Sequence, residues 1–225
     1  MKIWHISDTH TYHWLLDIPK DIDMVIFSGD CSNPREYILN RDEVLNFLVW
    51  FGNLPIKYKV YVAGNHDTSI EKRYINKFDF TDKGIIYLEN ESVEIEGIKI
   101  WGSPITPEFG VGWAWNRKRE KIHKYWDLIP EDSDIVISHG PPFGILDATY
   151  DRSNNYDLCG CRNLMKRITK VNPKLCLFGH IHNFKDIQNQ GTRTVTGLRT
   201  IFSNGSVVED RKFGLLSSNG NILEI

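Results

Sequence analysis

Five short runs of β-branched and aromatic residues, each followed within two residues by an Asp, Asn or His, constrain this chain more than any other feature. The runs predict largely buried β-strands at residues 2–7, 24–28, 57–63, 135–138 and 175–178. The polar residues after them come at the carboxyl ends of strands, where functional groups collect in open α/β sheets. The pattern therefore predicts one polar sheet edge built from distant parts of the sequence.

Helical patterns separate several of these runs. Residues 33–52 offer Asn33 as an N-cap, Pro34 at the first helical position and a final Gly52, which together predict a helix. Residues 115–128 and 161–170 place their apolar residues on one stripe and predict two more helices. Residues 93–101 predict a hairpin, and residues 192–225 predict hairpins and a meander. The order of elements indicates a mixed α/β fold with antiparallel additions later in the chain.

Composition favours one globular domain over residues 1–225. With 41% hydrophobic residues and a formal net charge of -2, the chain can bury a large core but lacks the bulk positive charge of many nucleic-acid binders. No apolar run approaches the ~18 residues that span a bilayer, and the first residues turn polar too soon for a secretory signal. The four cysteines are unevenly placed and favour a reducing compartment. We therefore expect a cytoplasmic protein without a membrane segment or a stable nucleic-acid partner.

The residues at the five strand ends are all potential metal ligands. They supply only oxygen and imidazole nitrogen, the donors that suit divalent Mn, Fe or Zn. Seven such ligands exceed the usual needs of one ion, whereas two ions about 3.5–4 Å apart would use them all if one carboxylate bridged. A two-metal site is therefore the better interpretation. The predicted ligands are Asp8, His10, Asp30, Asn65, His139, His180 and His182.

Each of these residues alone has a structural explanation, and it is the five motifs together that favour a metal centre. A competing interpretation is a structural zinc site formed by Cys159, Cys161, His180 and His182. The chain would then be a binding module whose fold is stabilised by a metal ion. Zinc sites usually space their cysteines more widely, and this interpretation leaves the ligands of the first two motifs unexplained.

The five motifs, taken in order, resemble those of the calcineurin-like metallophosphoesterases. The resemblance covers most of the chain and implies a four-layer αββα sandwich, in which two mixed β-sheets pack together and are flanked by helices. It also implies that Asp30 bridges two ions. One ion would be held by Asp8, His10 and His182, and the other by Asn65, His139 and His180. The motifs are Asp8-x-His10, Gly29-Asp30, Gly64-Asn65-His66, His139 and Gly179-His180-x-His182.

The same resemblance implies a reaction. Two divalent ions (Mn, Fe, Zn, Ni or Mg) would act as Lewis acids and lower the pKa of a bridging water, whose hydroxide would attack phosphorus in line. His66 would be a catalytic residue that donates a proton or a hydrogen bond to the leaving oxygen, and Asp67 would orient it. Many members of the family carry an aspartate at the position of Asn33, so any role of that aspartate does not carry over to this chain.

Sequence features around the motifs favour a phosphodiester substrate. The segment from Ser138 to Pro142 looks like that of the small cyclic-nucleotide and brain-type metallophosphodiesterases. Protein phosphatases of the superfamily carry arginines beside two of the motifs, whereas here only Arg35 lies near Asp30, and a diester with one fewer charge needs fewer such clamps. We expect a phosphodiesterase acting on small substrates, with cyclic nucleotides as candidates. The alternatives are a phosphomonoesterase or protein phosphatase, a nuclease of the same superfamily, and a non-catalytic metal-binding module.

Two groups of residues outside the motifs also bear on the substrate. Phe109, Trp113 and Trp115 lie in a loop where aromatic residues are less easily explained as core, so Trp113 and Trp115 are candidate substrate-binding residues that could stack on a base. Packing over the loop is the alternative. A basic cluster on predicted helix 115–128 indicates a solvated helix face, with attraction of an anionic substrate as the alternative. The cluster consists of Arg117, Lys118, Arg119, Lys121 and Lys124.

Overall fold

The chain folds into two β-sheets with helices on their outer faces. A computed structural model describes residues 1–151, 153–209 and 215–225. The helices are α1 (Tyr37–Gly52), α2 (Thr68–Glu71), α3 (Lys77–Thr81), α4 (His123–Trp126) and α5 (Arg162–Val171). Within the described ranges, no helix has the length and apolar character needed to cross a membrane.

The strands fall into two large sheets and two short pairs. They are β1 (Lys2–Ile6), β2 (Met24–Phe27), β3 (Tyr58–Tyr61), β4 (Ile86–Tyr87), β5 (Glu91–Ile95), β6 (Ile98–Ser103), β7 (Thr106–Pro107), β8 (Asn116–Arg117), β9 (Ile135–Ser138), β10 (Ala148–Tyr150), β11 (Tyr156–Leu158), β12 (Leu175–Phe178), β13 (Gly191–Thr194), β14 (Ile201–Asn204) and β15 (Asn221–Glu224). The first sheet has the order β15-β1-β2-β3-β4 and the second the order β13-β14-β12-β9-β6-β5. The first is parallel except for β15, and the second is parallel at its centre and antiparallel at both edges. All five predicted strands are present, as β1, β2, β3, β9 and β12.

Side chains that alternate along the central strands fill three layers of core. Ile26 lies in the apolar layer shared by the two sheets, whereas the next residue, Phe27, faces α1 and packs on Phe47 with ring centroids 4.4 Å apart. On the second sheet, the ring of Trp101 lies 6.3 Å from that of Trp126 in α4, and α4 in turn contacts α5. The layer order is helix, sheet, sheet, helix, so the expected αββα sandwich of two mixed sheets is confirmed.

The first predicted helix begins later than Pro34. Helix α1 starts at Tyr37, because Glu36 has an extended backbone and its carboxylate accepts hydrogen bonds from the backbone N–H groups of Ile38 and Leu39. This side chain satisfies two of the N–H groups that a helix start leaves unpaired. The cap is therefore Glu36 and not Asn33. The helix predicted at 161–170 is α5, and it begins directly after Cys161.

The helix predicted at residues 115–128 is wrong over most of its length. Trp115 has a left-handed φ of 58°, and the two residues after it form β8, which pairs with β7. Only α4 is helical. The apolar residues Ile122, Trp126 and Ile129 are buried as the stripe predicts, but a turn and a short helix bury them instead of one long helix. Because of this, Lys124 is the one member of the basic cluster that lies in a helix.

The last predicted segment divides between the two sheets. The hairpin of β13 and β14 belongs to the second sheet, but β15 pairs with β1 at the edge of the first sheet. The predicted hairpin is therefore present, but the predicted meander is wrong, because β15 covers the otherwise unpaired side of β1 in the other sheet. Residues 210–214 of that prediction lie outside the described residues. The hairpin predicted at 93–101 is present as β5 and β6.

Candidate metal centre

The polar residues that follow five strands meet in one cluster. They form three groups, and within each group the potential ligand atoms lie within 4.8 Å of one another. His10 and Asp30 each belong to two groups, so the three groups are continuous, and Asp30 is the carboxylate that two of the groups share. The groups are Asp8 with His10 and His182, His10 with Asp30 and His66, and Asp30 with His139 and His180.

Direct contacts join these side chains into pairs. Nε2 of His182 lies 3.2 Å from Oδ1 of Asp8, and Nε2 of His139 lies 3.2 Å from Oδ2 of Asp30. The same His139 nitrogen lies 2.9 Å from Oδ1 of Asn65, so the side-chain amide is turned toward the cluster as well. The structure thus brings all seven predicted ligands together.

Four of the predicted ligands have a left-handed backbone conformation, which residues other than glycine rarely adopt. The φ angles are 53° at Asp8, 43° at His10, 62° at Asp30 and 69° at His180. Left-handed backbone at residues other than glycine is uncommon, and it concentrates where a functional site over-determines the local structure. Each of these residues turns the chain sharply off a strand end and so directs its side chain into the cluster.

Two glycines leave the space that the cluster occupies. A β-carbon at Gly64 would overlap Oδ1 of Asp30, and one at Gly179 would overlap Oδ2 of Asp8. Any side chain at either position would displace a carboxylate. These glycines are therefore required by close packing against the predicted ligands.

Backbone carbonyl groups orient the histidines. Nδ1 of His10 lies 3.1 Å from the carbonyl oxygen of Ser32, and Nδ1 of His139 lies 2.8 Å from that of Ser28. Because a carbonyl oxygen only accepts, Nδ1 carries the proton in both rings and Nε2 is the nitrogen presented to the cluster. Metal-ligating histidines are oriented in this way, so the residues present fit a divalent ion.

Burial and charge set the protonation of the cluster. Burial lowers the pKa of His10 to about 4 and that of His180 to about 3, which keeps both imidazoles neutral near pH 7. Burial alone would also lower the pKa of His139, but the Asp30 carboxylate outweighs it and the pKa rises to about 9. Burial opposes ionisation of Asp8, yet neighbouring histidines hold the pKa of that carboxyl well below its usual value. Neutral imidazoles and ionised carboxylates are the forms that bind metals, and His10, His180 and Asp8 are in these forms. His139, with its raised pKa, is protonated near pH 7 and would have to lose a proton to bind an ion.

A cavity of about 160 Å³ opens on the cluster. Its polar side is formed by predicted ligands together with His66. Its other side carries aromatic and aliphatic groups, so a small ligand would contact both a charged and an apolar surface. The lining residues that sequence analysis did not predict as ligands or substrate contacts are Phe109, Ala148, Thr149, Ile181 and Phe184.

His66 and Trp113 lie side by side at the cavity. Nδ1 of His66 is 3.1 Å from the carbonyl oxygen of Asn33, so the free ring nitrogen is Nε2, and one ring nitrogen of His66 lies within the group of His10 and Asp30. The rings of His66 and Trp113 are 4.6 Å apart. The guanidinium carbon of Arg35 lies 3.7 Å from the Trp113 ring centre and holds that ring by a cation–π contact.

Trp115 does not lie at the cavity. Its side chain is only 3% exposed and belongs to the main apolar core, so the prediction that it could stack on a substrate is wrong. The backbone at this residue is left-handed, with a φ of 58°. Two tryptophans that lie two positions apart in sequence therefore have different roles: Trp113 lines the cavity, and Trp115 packs in the core.

The predicted role of Asp67 as a partner of the His66 ring is also wrong. The Asp67 carboxylate is fully buried, and its hydrogen bonds instead join the loops after β2 and β3, while the carbonyl of Asn33 orients His66. Asp67 is therefore a structural acceptor that fixes the two loops relative to each other. Its donors are the N–H groups of Asp30, Cys31 and Gly64, the hydroxyl groups of Ser32 and Tyr61, and the thiol of Cys31.

Two residues that support the cluster were not predicted from the sequence. The hydroxyl group of Ser206 donates to Oδ2 of Asp8 at 2.9 Å, and the side-chain amide of Asn33 donates to the carbonyl oxygen of His10 at 3.0 Å. Ser206 follows the parallel strand β14, and the strand-end rule applied to that strand would have found it.

The alternative zinc site does not form. The Cys159 thiol donates to the carbonyl oxygen of Asp147, and the Cys161 thiol accepts from the N–H group of Leu164 at the start of α5. In the part of the chain that the structure describes, no group of potential ligands contains a cysteine. Both histidines of that interpretation lie in the cluster described above.

Comparison with known proteins agrees with this geometry. The family model of the calcineurin-like phosphoesterases matches residues 1–184. The chain belongs to this family. The matched segment includes all seven predicted ligands, and members of the calcineurin-like phosphoesterase family bind divalent metal ions.

Relatives support the same assignment, and a solved structure shares the fold. The chain is 33% identical to the human Metallophosphoesterase domain-containing protein 1, over 84% of this chain and 63% of that protein. It is 31% identical to a UPF0046 protein of Caenorhabditis elegans, over 86% of this chain and 68% of that protein. The phosphopantetheinyl hydrolase of Mycobacterium tuberculosis shares the fold, with a TM-score of 0.57 and 16% identity, over 93% of this chain and 90% of that chain. The chain thus spans somewhat less than two thirds of the length of the human relative.

Proposed function

We propose that this chain is a metal-dependent phosphoesterase that hydrolyses small phosphodiesters, with cyclic nucleotides as the first class to test. The observation that carries the proposal is the single cluster in which Asp30 belongs to two groups of potential ligands. Family membership supports a phosphoester substrate. The cavity beside the cluster limits that substrate to a small molecule or to a short exposed part of a larger one.

Two divalent ions fit the donor set. Asp8, His10 and His182 would hold one ion, and Asn65, His139 and His180 the other, with Asp30 between them. When bound, the ions supply Lewis acidity toward the phosphoryl group and lower the pKa of a coordinated water. Mn, Fe, Zn, Ni and Mg are all compatible with oxygen and imidazole donors.

Charge at the cavity favours a diester over a monoester. In the described ranges, the cavity on the cluster is lined by neither lysine nor arginine, and the nearby Arg35 side chain packs on Trp113. A monoester dianion carries one more negative charge than a diester and needs more positive side chains to bind it. The side chains that line this cavity therefore provide no clamp for the second charge.

His66 is positioned to serve the leaving group. Its Nδ1 proton is bonded to the carbonyl oxygen of Asn33, which fixes the ring and leaves Nε2 as the atom that can exchange a proton. When Nε2 is protonated, it can donate to the oxygen that departs from phosphorus. The backbone N–H group of His66 donates to Oδ1 of Asp30 at 2.7 Å. This hydrogen bond holds the residue that carries the proposed catalytic ring at a fixed distance from the proposed bridging carboxylate.

Hydrolysis of two model esters tests the proposal. We expect the purified chain, loaded in turn with each divalent ion, to hydrolyse bis-4-nitrophenyl phosphate with a higher kcat/KM than 4-nitrophenyl phosphate. Faster turnover of the monoester with every ion would replace the proposal with a phosphomonoesterase. Degradation of single-stranded DNA at a comparable rate would instead favour a nuclease, and no turnover of any ester would favour a non-catalytic metal-binding module.

The cellular setting remains part of the proposal. In the described ranges all four cysteines are free thiols, which supports the expectation of a reducing, cytoplasmic compartment. No stable nucleic-acid partner is proposed, because the basic cluster is divided among different structures. Arg117 pairs with Glu71 at 3.3 Å, and Arg119 is bonded to main-chain carbonyls.

A further inference from the structure

A second cavity lies against the cavity of the metal cluster. It has a volume of about 350 Å³, against about 160 Å³ for the first. The two cavities share four lining residues, Phe109, Thr149, His180 and Ile181. A group attached to a phosphate at the cluster can therefore extend past these side chains into the second cavity, which we call the side cavity.

The walls of the side cavity are mainly apolar. Pro107, Phe109, Pro141 and Ile181 contribute rings and aliphatic surface, and two glycines add bare backbone. Cys159 also lines the cavity, and burial raises the pKa of its thiol to about 12, so this group is uncharged. A cavity of this size with an apolar lining and few polar groups is typical of sites for organic ligands.

Arg119 provides the positive charge of the side cavity. Its two terminal nitrogens donate to the carbonyl oxygens of Gly160 and Cys159 at 3.1 and 2.9 Å, so the guanidinium group is held in place by the main chain. Among the described residues, no carboxylate lies within ion-pair distance of Arg119, whereas Arg117 is paired with Glu71. A guanidinium group that is fixed by two hydrogen bonds and has further N–H groups to donate can bind a carboxylate or another small anion.

We propose that the side cavity binds the second ester group of the substrate, and that this group is a flat apolar ring bearing an anionic substituent that pairs with Arg119. The inference rests on the proposed phosphodiesterase function, and for the same site it favours diesters with two separate ester groups over cyclic nucleotides. The ring would lie between the proline and isoleucine side chains and Phe109. The anionic substituent distinguishes this class from simple alkyl diesters.

Three diesters with one leaving group test the proposal. The metal-loaded protein is assayed with 4-nitrophenyl phosphate diesters whose second group is methyl, phenyl or 4-carboxyphenyl. Water adds at phosphorus, 4-nitrophenolate leaves, and the second group remains on the product monoester, so differences in kcat/KM report the second group. We expect kcat/KM to rise roughly 10-fold from methyl to phenyl through burial of the ring, and roughly 10-fold again for carboxyphenyl through the pairing with Arg119.

Matched variants assign these increases to the side cavity. Arg119→Gln should remove the advantage of carboxyphenyl over phenyl, whereas Lys121→Gln, an exposed change in the same basic cluster, should keep it. A β-carbon at Gly140 would lie 3.4 Å from Thr106 and 3.9 Å from Pro107 and His180, which are ordinary contacts. Gly140→Ala should therefore fold and should reduce the ratio of phenyl to methyl kcat/KM. Thermal unfolding and metal content check that each variant is intact.

Calorimetric binding of the product 4-carboxyphenyl phosphate gives a readout without turnover. Arg119→Gln should raise its Kd roughly 10-fold and leave the Kd of phenyl phosphate within about 2-fold. Equal kcat/KM for the three diesters, or a loss by the same factor for all three in Arg119→Gln, would overturn the proposal. Failure of the proposed function would appear differently, as no turnover of any diester with any ion, and the binding measurement would still decide whether Arg119 recognises the anionic ring.

Discussion

The Nδ1 nitrogen of His66 lies 3.1 Å from the backbone carbonyl oxygen of Asn33, and this contact takes the place of the carboxylate partner that sequence analysis assigned to the ring. A carbonyl fixes the ring orientation and the tautomer but adds no negative charge. Since the side-chain amide of Asn33 also donates to the carbonyl oxygen of His10, one residue ties the proposed catalytic ring to the loop that carries two predicted ligands.

Replacing His66 should separate catalysis from metal binding. In His66→Ala and His66→Gln we expect turnover of the diester to fall by ~10²–10⁴-fold while the metal content stays unchanged, because the ring serves the leaving oxygen. The defect should shrink for esters whose leaving group needs little protonation. Steady-state kinetics and elemental analysis measure both effects, with the exposed His123→Ala as the control. Loss of an ion in the His66 variants would instead make this residue a ligand.

Replacing Asp30 should affect both metal positions. Asp30 belongs to two of the three ligand groups, so Asp30→Asn should reduce the metal content below that of a variant in either outer group, such as His182→Gln, and should abolish activity. Elemental analysis of the dialysed proteins gives the stoichiometry. The exposed Asp132→Asn is the control for a lost carboxylate. Unchanged metal content in Asp30→Asn would contradict a shared position.

Replacing Asp67 should cost stability and not leaving-group selectivity. Asp67→Ala leaves buried N–H and hydroxyl donors without an acceptor, so unfolding free energy should fall by on the order of 3–5 kcal/mol. Burial and the charge of Asp30 raise the pKa of Asp67. The neutral isostere Asp67→Asn should therefore lose less unfolding free energy than Asp67→Ala. Urea unfolding measures both. If Asp67→Ala kept full stability and reproduced the kinetic defect of His66→Ala, a role in orienting His66 would be restored.

Trp113 and Trp115 should respond differently to truncation. Trp113→Ala should raise KM for aromatic diesters about 10-fold relative to a non-aromatic diester, since stacking on a ring is worth ~1–3 kcal/mol, and should change stability little. Trp115→Ala should destabilise the fold by ~3–5 kcal/mol, because a large buried side chain is removed. Kinetics and urea unfolding distinguish them. The exposed Trp14→Ala serves as the control, and a Trp113 variant with unchanged KM ratios would exclude stacking.

His13 should make stability depend on pH below neutrality. Burial lowers its pKa from 6.5 to about 4, so the folded chain holds the neutral ring more strongly than the unfolded chain does. The resulting stability is complete above pH 6.5 and is lost as the pH falls toward about 4. Among the described residues, Nδ1 of His13 has no hydrogen-bond partner, and Nε2 contacts Oδ1 of Asn46, which also accepts from Trp14. Since Phe47 and Trp50 lie against the ring, His13→Phe keeps the aromatic packing and removes the contact with Asn46. The variant should lose less unfolding free energy than the original chain between pH 7.5 and pH 5, and equal losses would contradict this assignment.

The sequence by itself determined where the chemistry lies. Strands predicted from apolar runs are present, and the Asp, Asn and His residues after them meet in one cluster, because chain direction places the carboxyl ends of neighbouring parallel strands side by side. Local signals were sufficient for this, since each ligand such as Asp8 or His180 comes within a few residues of a buried strand. Only the tertiary structure decided the roles of Asp67, Trp115 and β15. The Asp67 carboxylate accepts from six donors and not from the His66 ring, the Trp115 ring lies in the core, and β15 pairs in the first sheet. Each outcome depends on packing between residues far apart in sequence, and local sequence patterns do not encode those contacts.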